Sequence, residues 1–214
     1  YSPFEAHIED GKVFGLGAAN CKASAAVQIW LAEEISRRGG PDQGEVVFTF
    51  VTDEESLDQN GMAHLRDIEA VKPDMLLLGA PTDNALVVTE RGILWVEITT
   101  LGRPAHAGAP EDGDNAISRM MRICTALERE MGHLLSARVD GDMRSTMSIG
   151  LFHGGENTNV VPSSCRVQID RRLLPSESVD GAYLELADVI SGVGEPADLV
   201  TVQQIRGTNG FVGD

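Results

Sequence analysis

Two adjacent carboxylates, Glu54 and Glu55, follow an apolar run at 45–51 (EVVFTFV) that reads as a strand buried on both faces. Open α/β sheets hold ligands beyond the C-terminal ends of such strands, where one carboxylate can bind a metal while its neighbour moves a proton. The same dipeptide also suits a solvated acidic turn. His106 lies in a loop of small residues, GRPAHAG at 102–108, and a lone loop histidine is usually plain surface. Asn159 belongs to the polar turn NTNVVP at 157–162, and Arg172 closes DRR at 170–172, a run that suits a structural ion pair at a strand end. An arginine on the polar face of a strand, with an asparagine and a histidine on neighbouring loops, would equally suit a substrate carboxylate. Guanidinium binds that group through two parallel hydrogen bonds. A further small-residue turn, GLGAANCK at 15–22, leads into a helix and could bring backbone close to a ligand, but it matches neither the dinucleotide nor the P-loop pattern.

The elements that must position these groups follow from hydrophobic spacing. Ala26, Val27, Trp30, Leu31 and Ile35 recur at helical intervals before Arg37-Arg38-Gly39-Gly40, which predicts a helix over 23–38. The spacing further predicts a short helix from Asn60-Gly61 to Ile68 and a second buried strand at 75–78 (MLLL), so the first ninety residues read as β/α alternation. From Gly92 the pattern changes. A strand at 93–101 precedes a helix capped by Asp114, with Ile117, Met120, Met121, Cys124, Leu127 and Met131 on one side; a strand at 145–151 and an extended segment at 160–172 follow. A helix carrying Val179, Tyr183, Leu186 and Ile190 and a strand at 199–205 complete the order β-α-β-β-α-β, the split ferredoxin-like unit. The expected fold class is α/β, with this two-layer module inserted in an α/β domain.

Composition excludes several functions. With 17 Lys+Arg against 33 Asp+Glu the net charge is 17 − 33 = −16 and the pI about 4.6, so a surface that tracks nucleic-acid phosphates, or a basic patch for membranes, is not expected. No apolar stretch approaches the roughly 20 residues that span a bilayer. Three scattered cysteines make neither a disulfide framework nor a zinc ribbon, which favours a reducing, cytoplasmic compartment. The segment from Tyr1 carries no signal-peptide pattern, and the chain reads as a portion of a longer protein.

Taken in order, six segments resemble the co-catalytic zinc amidohydrolase and peptidase family of acetylornithine deacetylase, succinyl-diaminopimelate desuccinylase, aminoacylase and glutamate carboxypeptidase. They are PFEAHIEDGKVFGLGAANCKAS (3–24), VTDEES (51–56), GAPTD (79–83), RGILWVEITTLGRPAHAGAPEDGDNAI (91–117), GGENTNVVPSSC (154–165) and DRRLLP (170–175). The resemblance implies part of an α/β/α catalytic domain at 1–91, an inserted ferredoxin-like lid and dimerisation domain at 92–205, and a return to the catalytic domain at 206–214. It also implies two zinc ions per chain, a small-molecule substrate with a free carboxylate and a homodimer formed through the lid. By motif, Glu54 corresponds to the general base and Glu55 to a metal ligand. His106 corresponds to the lid histidine that stabilises the oxyanion, often across the dimer. Asn159 and Arg172 correspond to lid groups that hold the substrate, Arg172 on its carboxylate.

Two departures weigh against the zinc pair. Asn20 stands where the family has its bridging aspartate, and Ala80 where it has a ligating glutamate. A bridge between two dications needs an anion, which an amide does not supply, and alanine supplies no donor. Leu16 and Ala23 also depart from the family's loop. The expected function is cleavage of an amide bond in an N-acyl amino acid or small peptide, with substituted metal-ligand positions. The alternative is an inactive pseudo-enzyme that binds a carboxylate ligand or acts as a dimeric scaffold.

Overall fold

The computed structural model describes residues 2–52 and 60–213, and the chain divides into two compact units, Tyr1–Leu86 and Val87–Asp214. The division falls a few residues before the expected boundary at 91, and residues 206–213 associate with the second unit.

In the first unit, β1 (His7–Glu9) and β2 (Lys12–Phe14) form a hairpin. Its two-residue turn, Asp10-Gly11, has both φ values positive (49° and 72°), the turn geometry that matches strand twist. A wide turn at Ala18–Lys22 leads into α1 (Ala23–Arg37), whose Ala, Leu, Glu and Arg content favours helix. Gly39 and Gly40, at φ 94° and 98°, end it: their N–H groups donate to the Ser36 and Ile35 carbonyls, satisfying acceptors the helix leaves open. The short α2 (Met62–Asp67) lies within the expected span.

The strands expected at 45–51 and 75–78 do not form. Among the described residues neither segment takes a ladder partner, and Phe50, Met75 and Leu77 are exposed. A run that is apolar on both faces becomes a strand only with strands beside it and helices above and below, and among the described residues this unit offers one hairpin and two helices.

The second unit follows the expected order. β4 (Gly92–Leu101), α3 (Ala116–Ser136), β7 (Thr146–Gly154), β8 (Ser164–Leu173), α4 (Val179–Gly192) and β9 (Val200–Thr208) build an antiparallel sheet in the order β7-β8-β4-β9. Small pairs, β5 (Val139–Asp140) with β6 (Met143–Arg144) and β3 (Thr89–Glu90) with β10 (Phe211–Val212), flank it. Both helices lie on one face. Leu94, Val96 and Ile98 of β4, Val167 and Ile169 of β8, Met120, Ile123, Leu127 and Met131 of α3 and Leu186 of α4 form the core. Each such side chain contributes about 1.5–3 kcal/mol on burial. Capping differs from expectation by one residue: Asn115, not Asp114, accepts the Ser118 N–H at 3.0 Å, because Asp114 is drawn into an ion pair with Arg119. Ser178 caps α4 through the Gly181 N–H. No helix among the described residues is long and apolar enough to cross a membrane.

Candidate functional site

The loop from β4 to α3 carries His106. Its two ends are drawn together by an antiparallel bridge in which Arg103 and Asp114 exchange N–H···O bonds of 2.9 and 2.8 Å. Gly102 is required at this closure, since a Cβ there would lie 2.1 Å from the Asp114 carbonyl oxygen. A second bridge joins His106 to Val160: the Val161 N–H donates to the Ala105 carbonyl at 2.8 Å and the Ala107 N–H to the Asn159 carbonyl at 2.9 Å. Two segments more than fifty residues apart are thereby laced, and His106 and Asn159 lie together. A recess of about 590 Å³ beside them is lined by Ala107, Asn115, Gly155, Asn157 and Val160.

The imidazole is oriented by its own loop. The Gly108 N–H donates to His106 Nδ1 at 3.0 Å, and a Cβ at 108 would sit 3.0 Å from that nitrogen. An accepting Nδ1 carries no proton, so the neutral ring holds its hydrogen on Nε2. The exposed Nε2–H is a donor, suited to an oxyanion and not to abstracting a proton. The Asn159 carboxamide is also exposed and makes no hydrogen bond among the described residues.

Arg119, which sequence reasoning passed over, clasps the loop from beneath. Its guanidinium, almost fully buried, donates to the Leu101 carbonyl at the start of the loop, to Asp114 Oδ2 at its end (2.8 Å) and to Glu195 Oε2 on the α4–β9 connection (2.8 Å). The Arg122 N–H bond holds the Glu195 carboxyl below its ordinary value, against burial and with further help from Arg119.

Arg172 is realised as an ion pair. Its Nε and Nη2 fork onto Asp170 at 2.7 and 2.9 Å, and the same carboxylate accepts Trp95 Nε1–H at 2.9 Å. Arg172 stands opposite Ile93 at the start of β4, whereas the His106 loop leaves the other end at Leu101, itself opposite Ser164. Eight residues of strand separate the two ends, roughly 27 Å at 3.4 Å per residue. The structure therefore joins His106 to Asn159 and sets Arg172 apart from both.

Arg171 alternates to the helix face, where it is fully buried. It donates to Ser145 Oγ at 2.9 Å, Glu177 at 2.9 Å and Glu185 at 3.0 Å, and Arg138 pairs with the same two glutamates. Burial works to raise Glu177 and Glu185. The bonds from Ser145, the Leu174 N–H and Arg138 on Glu177, and from Arg138 and Arg171 on Glu185, outweigh it and hold both carboxyls low. Strand parity held the signal for this cluster: a charge in line with Cys165, Val167 and Ile169 must be buried.

In the first unit, Asn20 is exposed at the turn before α1, where Lys22 Nζ donates to the Leu16 carbonyl at 2.7 Å. Gly79 presses on α1, since a Cβ there would lie 2.5 Å from the Ser24 Cβ, so Ala80 adjoins the junction that carries Asn20. Glu54 and Glu55 lie outside the described residues. Among the described residues no group of three or more His, Cys, Asp or Glu could hold a metal ion. A neutral amide and a methyl group do not fit the donor set of a bridged zinc pair.

Residues 88–198 match the sequence profile of a peptidase dimerisation domain. The chain belongs to the M20 family of peptidases and amidohydrolases. It is 30% identical over 211 residues to a protein of Aspergillus clavatus described as a probable carboxypeptidase, covering 89% of this chain and 45% of that one. It is 26% identical over 198 residues to acetylornithine deacetylase of Aliivibrio salmonicida, covering 91% and 52%. A tripeptidase structure from Staphylococcus aureus shares the fold, with a TM-score of 0.68 at 24% identity, covering 98% of this chain and 55% of that one. The chain thus spans about half the length of the curated relatives it matches. M20 enzymes are in general metal-dependent, which makes Asn20 and Ala80 a departure within the family.

Proposed function

We propose that the protein hydrolyses an amide bond in an N-acyl amino acid or small peptide bearing a free carboxylate. The observation that carries this reading is the His106 loop, where the Gly108 N–H on Nδ1 leaves Nε2–H to meet an oxyanion. Glu54 takes the proton of the attacking water and passes it to the leaving nitrogen as the tetrahedral adduct collapses. Nε2–H of His106 and the Asn159 carboxamide donate to the carbonyl oxygen as it gains charge, and Arg172 orients the carboxylate. Asn20 and Ala80 do not fit the donor set of a bridged zinc pair.

The separation of His106 and Asn159 from Arg172 along one sheet supports a homodimer. One small substrate cannot touch both groups of one chain, but it can meet His106 and Asn159 of one protomer and Arg172 of its partner. Leu151 and Phe152, exposed on the edge strand β7, suit such a contact. Subunit mixing tests this. Full-length His106→Ala and Arg172→Gln proteins, each impaired alone, should regain about a quarter of wild-type turnover when their protomers exchange, because half of the dimers then carry one intact site of two. No recovery, or a monomer in solution scattering, would sink the composite site.

A second reading, a carboxylate-binding protein without turnover, is favoured by Asn20 and Ala80. Tight ligand binding with no hydrolysis by the full-length protein would establish it.

A further inference from the structure

Strand parity sends Arg172 to the open face of the sheet and Arg171 to the face covered by the helices, in line with Cys165, Val167 and Ile169 of the core. An apolar side chain at 171 would fill that place at no electrostatic cost. Arg171 is instead fully buried, and its Nε finds no hydrogen-bond partner among the described residues. Exchanging a buried ion network for well-packed apolar groups is often neutral or stabilising, so stability alone is a weak reason for one here. Hydrogen bonds to the backbone supply something that apolar packing does not: they hold it in one direction.

The backbone held in this way is the end of β8 that carries Arg172. Ser145, buried just before β7, accepts Arg171 Nη1–H at 2.9 Å, and its single hydroxyl hydrogen faces two acceptors, the Arg172 carbonyl at 3.1 Å and the Glu177 carboxylate. Glu177 also accepts the Leu174 N–H at 2.7 Å. The peptide groups on either side of Leu173 are therefore tied to one network, which Arg138 closes by pairing with both Glu177 and Glu185. On the open face Arg172 commits Nε and Nη2 to Asp170, so only part of its N–H fork is left for a ligand. A small turn of the stem would carry that part away from a second carboxylate, whose two parallel bonds demand a set geometry.

We propose that Ser145 is a positioning residue for Arg172. By holding the Arg172 carbonyl from the helix side, with Arg171 and Glu177 holding Ser145 in turn, it sets the direction in which the guanidinium meets a substrate carboxylate. This assignment rests on the proposed function for the role of Arg172 and extends it to side chains on the opposite face of the sheet.

The test separates direction from stability. Full-length protein is titrated with N-methanesulfonyl-L-alanine, which has no carboxamide to cleave, and with N-methanesulfonyl-L-alaninol, in which a neutral hydroxymethyl replaces the carboxylate. Wild type should prefer the acid, and Arg172→Gln should lose that preference. Ser145→Ala should reduce it about five- to tenfold, as expected when a bidentate charged contact loses one of its two bonds, while leaving the affinity for the alcohol unchanged. Ser145→Thr, which keeps the hydroxyl, should restore it to within about twofold. Urea unfolding of each variant is measured alongside. A Ser145→Ala protein with a lowered urea midpoint and an intact acid preference has lost a structural contact only, and overturns the proposal. So does an equal loss of affinity for both probes, or a Ser145→Thr protein of wild-type stability that fails to restore the preference. In turnover, Ser145→Ala should raise KM for the carboxylate substrate and leave kcat nearly unchanged; a fall in kcat at constant KM contradicts the assignment. A protein that shows the predicted binding pattern yet cleaves no amide would refute the proposed reaction alone. An acid preference lost in Arg172→Gln but kept in Ser145→Ala would refute the positioning role alone, and one that survives Arg172→Gln would overturn both.

Discussion

Replacing Arg119 by methionine removes the clasp under the His106 loop while keeping the length of the side chain. Arg119 makes three charge-assisted contacts, and removing one member of a buried ion pair commonly costs about 3–5 kcal/mol because its partner is left charged and dry. The local geometry lowers that figure. Glu195 keeps the Arg122 Nε–H at 2.6 Å, and the Asp114 side chain, 39% exposed, can be solvated once released. The Leu101 carbonyl loses its Arg119 donor. The expected loss is therefore about 2–3 kcal/mol, near that of hydrogen bonds to a charged group, measured by urea unfolding of the wild type and the variant. The loss should concentrate at the loop. Hydrogen exchange at the Arg103 and Asp114 amides, which bridge its ends, should quicken by about tenfold or more, with a smaller change at the core strand around Val96. Arg119→Lys keeps one charged contact and should fall between. An Arg119→Met chain within about 0.5 kcal/mol of wild type, with unaltered exchange at 103 and 114, would refute the clasp.

Acid should loosen the second unit through Glu177 and Glu185. Both ionise below their ordinary value when folded, so their contribution is complete above the unfolded value of about 4.3 and is lost as pH falls through the lower folded values. The urea midpoint should drop below about pH 4 and Glu177→Gln should flatten that drop; equal slopes for the two proteins would contradict it. Thiol reactivity should be graded by burial. Cys21 is exposed, whereas Cys124 and Cys165 lie in the core and burial pushes the Cys124 thiol up to about 11. A disulfide reagent at neutral pH should therefore modify Cys21 at once and the other two only on unfolding, and rapid reaction of all three would contradict the packing between α3 and β8.

The second unit was legible because its strands and helices complete each other within the chain. Alternation in β4 and β8 and helical spacing in α3 and α4 point to one shared core, so local pattern and tertiary demand agree. The runs at 45–51 and 75–78 carry as strong an apolar signal and form no strand, because pattern alone cannot supply the neighbouring strands they need. The same limit applies to the site. His106 and Asn159 could be named from their motifs, but the tautomer set by the Gly108 N–H and the separation from Arg172 depend on backbone geometry and register that residue types do not encode. Arg119 escaped notice because its three acceptors, Leu101, Asp114 and Glu195, come from separate places in the chain. Asp170-Arg171-Arg172 held two answers, split by strand parity: Arg172 with Asp170 on the open face, and Arg171 in the buried cluster behind it.

Release of free amine from a panel of N-acyl amino acids and dipeptides by the full-length protein tests the central claim most directly, with Glu54→Gln and His106→Ala measured beside wild type. The account predicts measurable release, abolished in Glu54→Gln and lowered about 10²-fold or more in His106→Ala through kcat, the loss expected when one oxyanion donor is removed. No release from any member of the panel, or release that His106→Ala leaves unchanged, would contradict it.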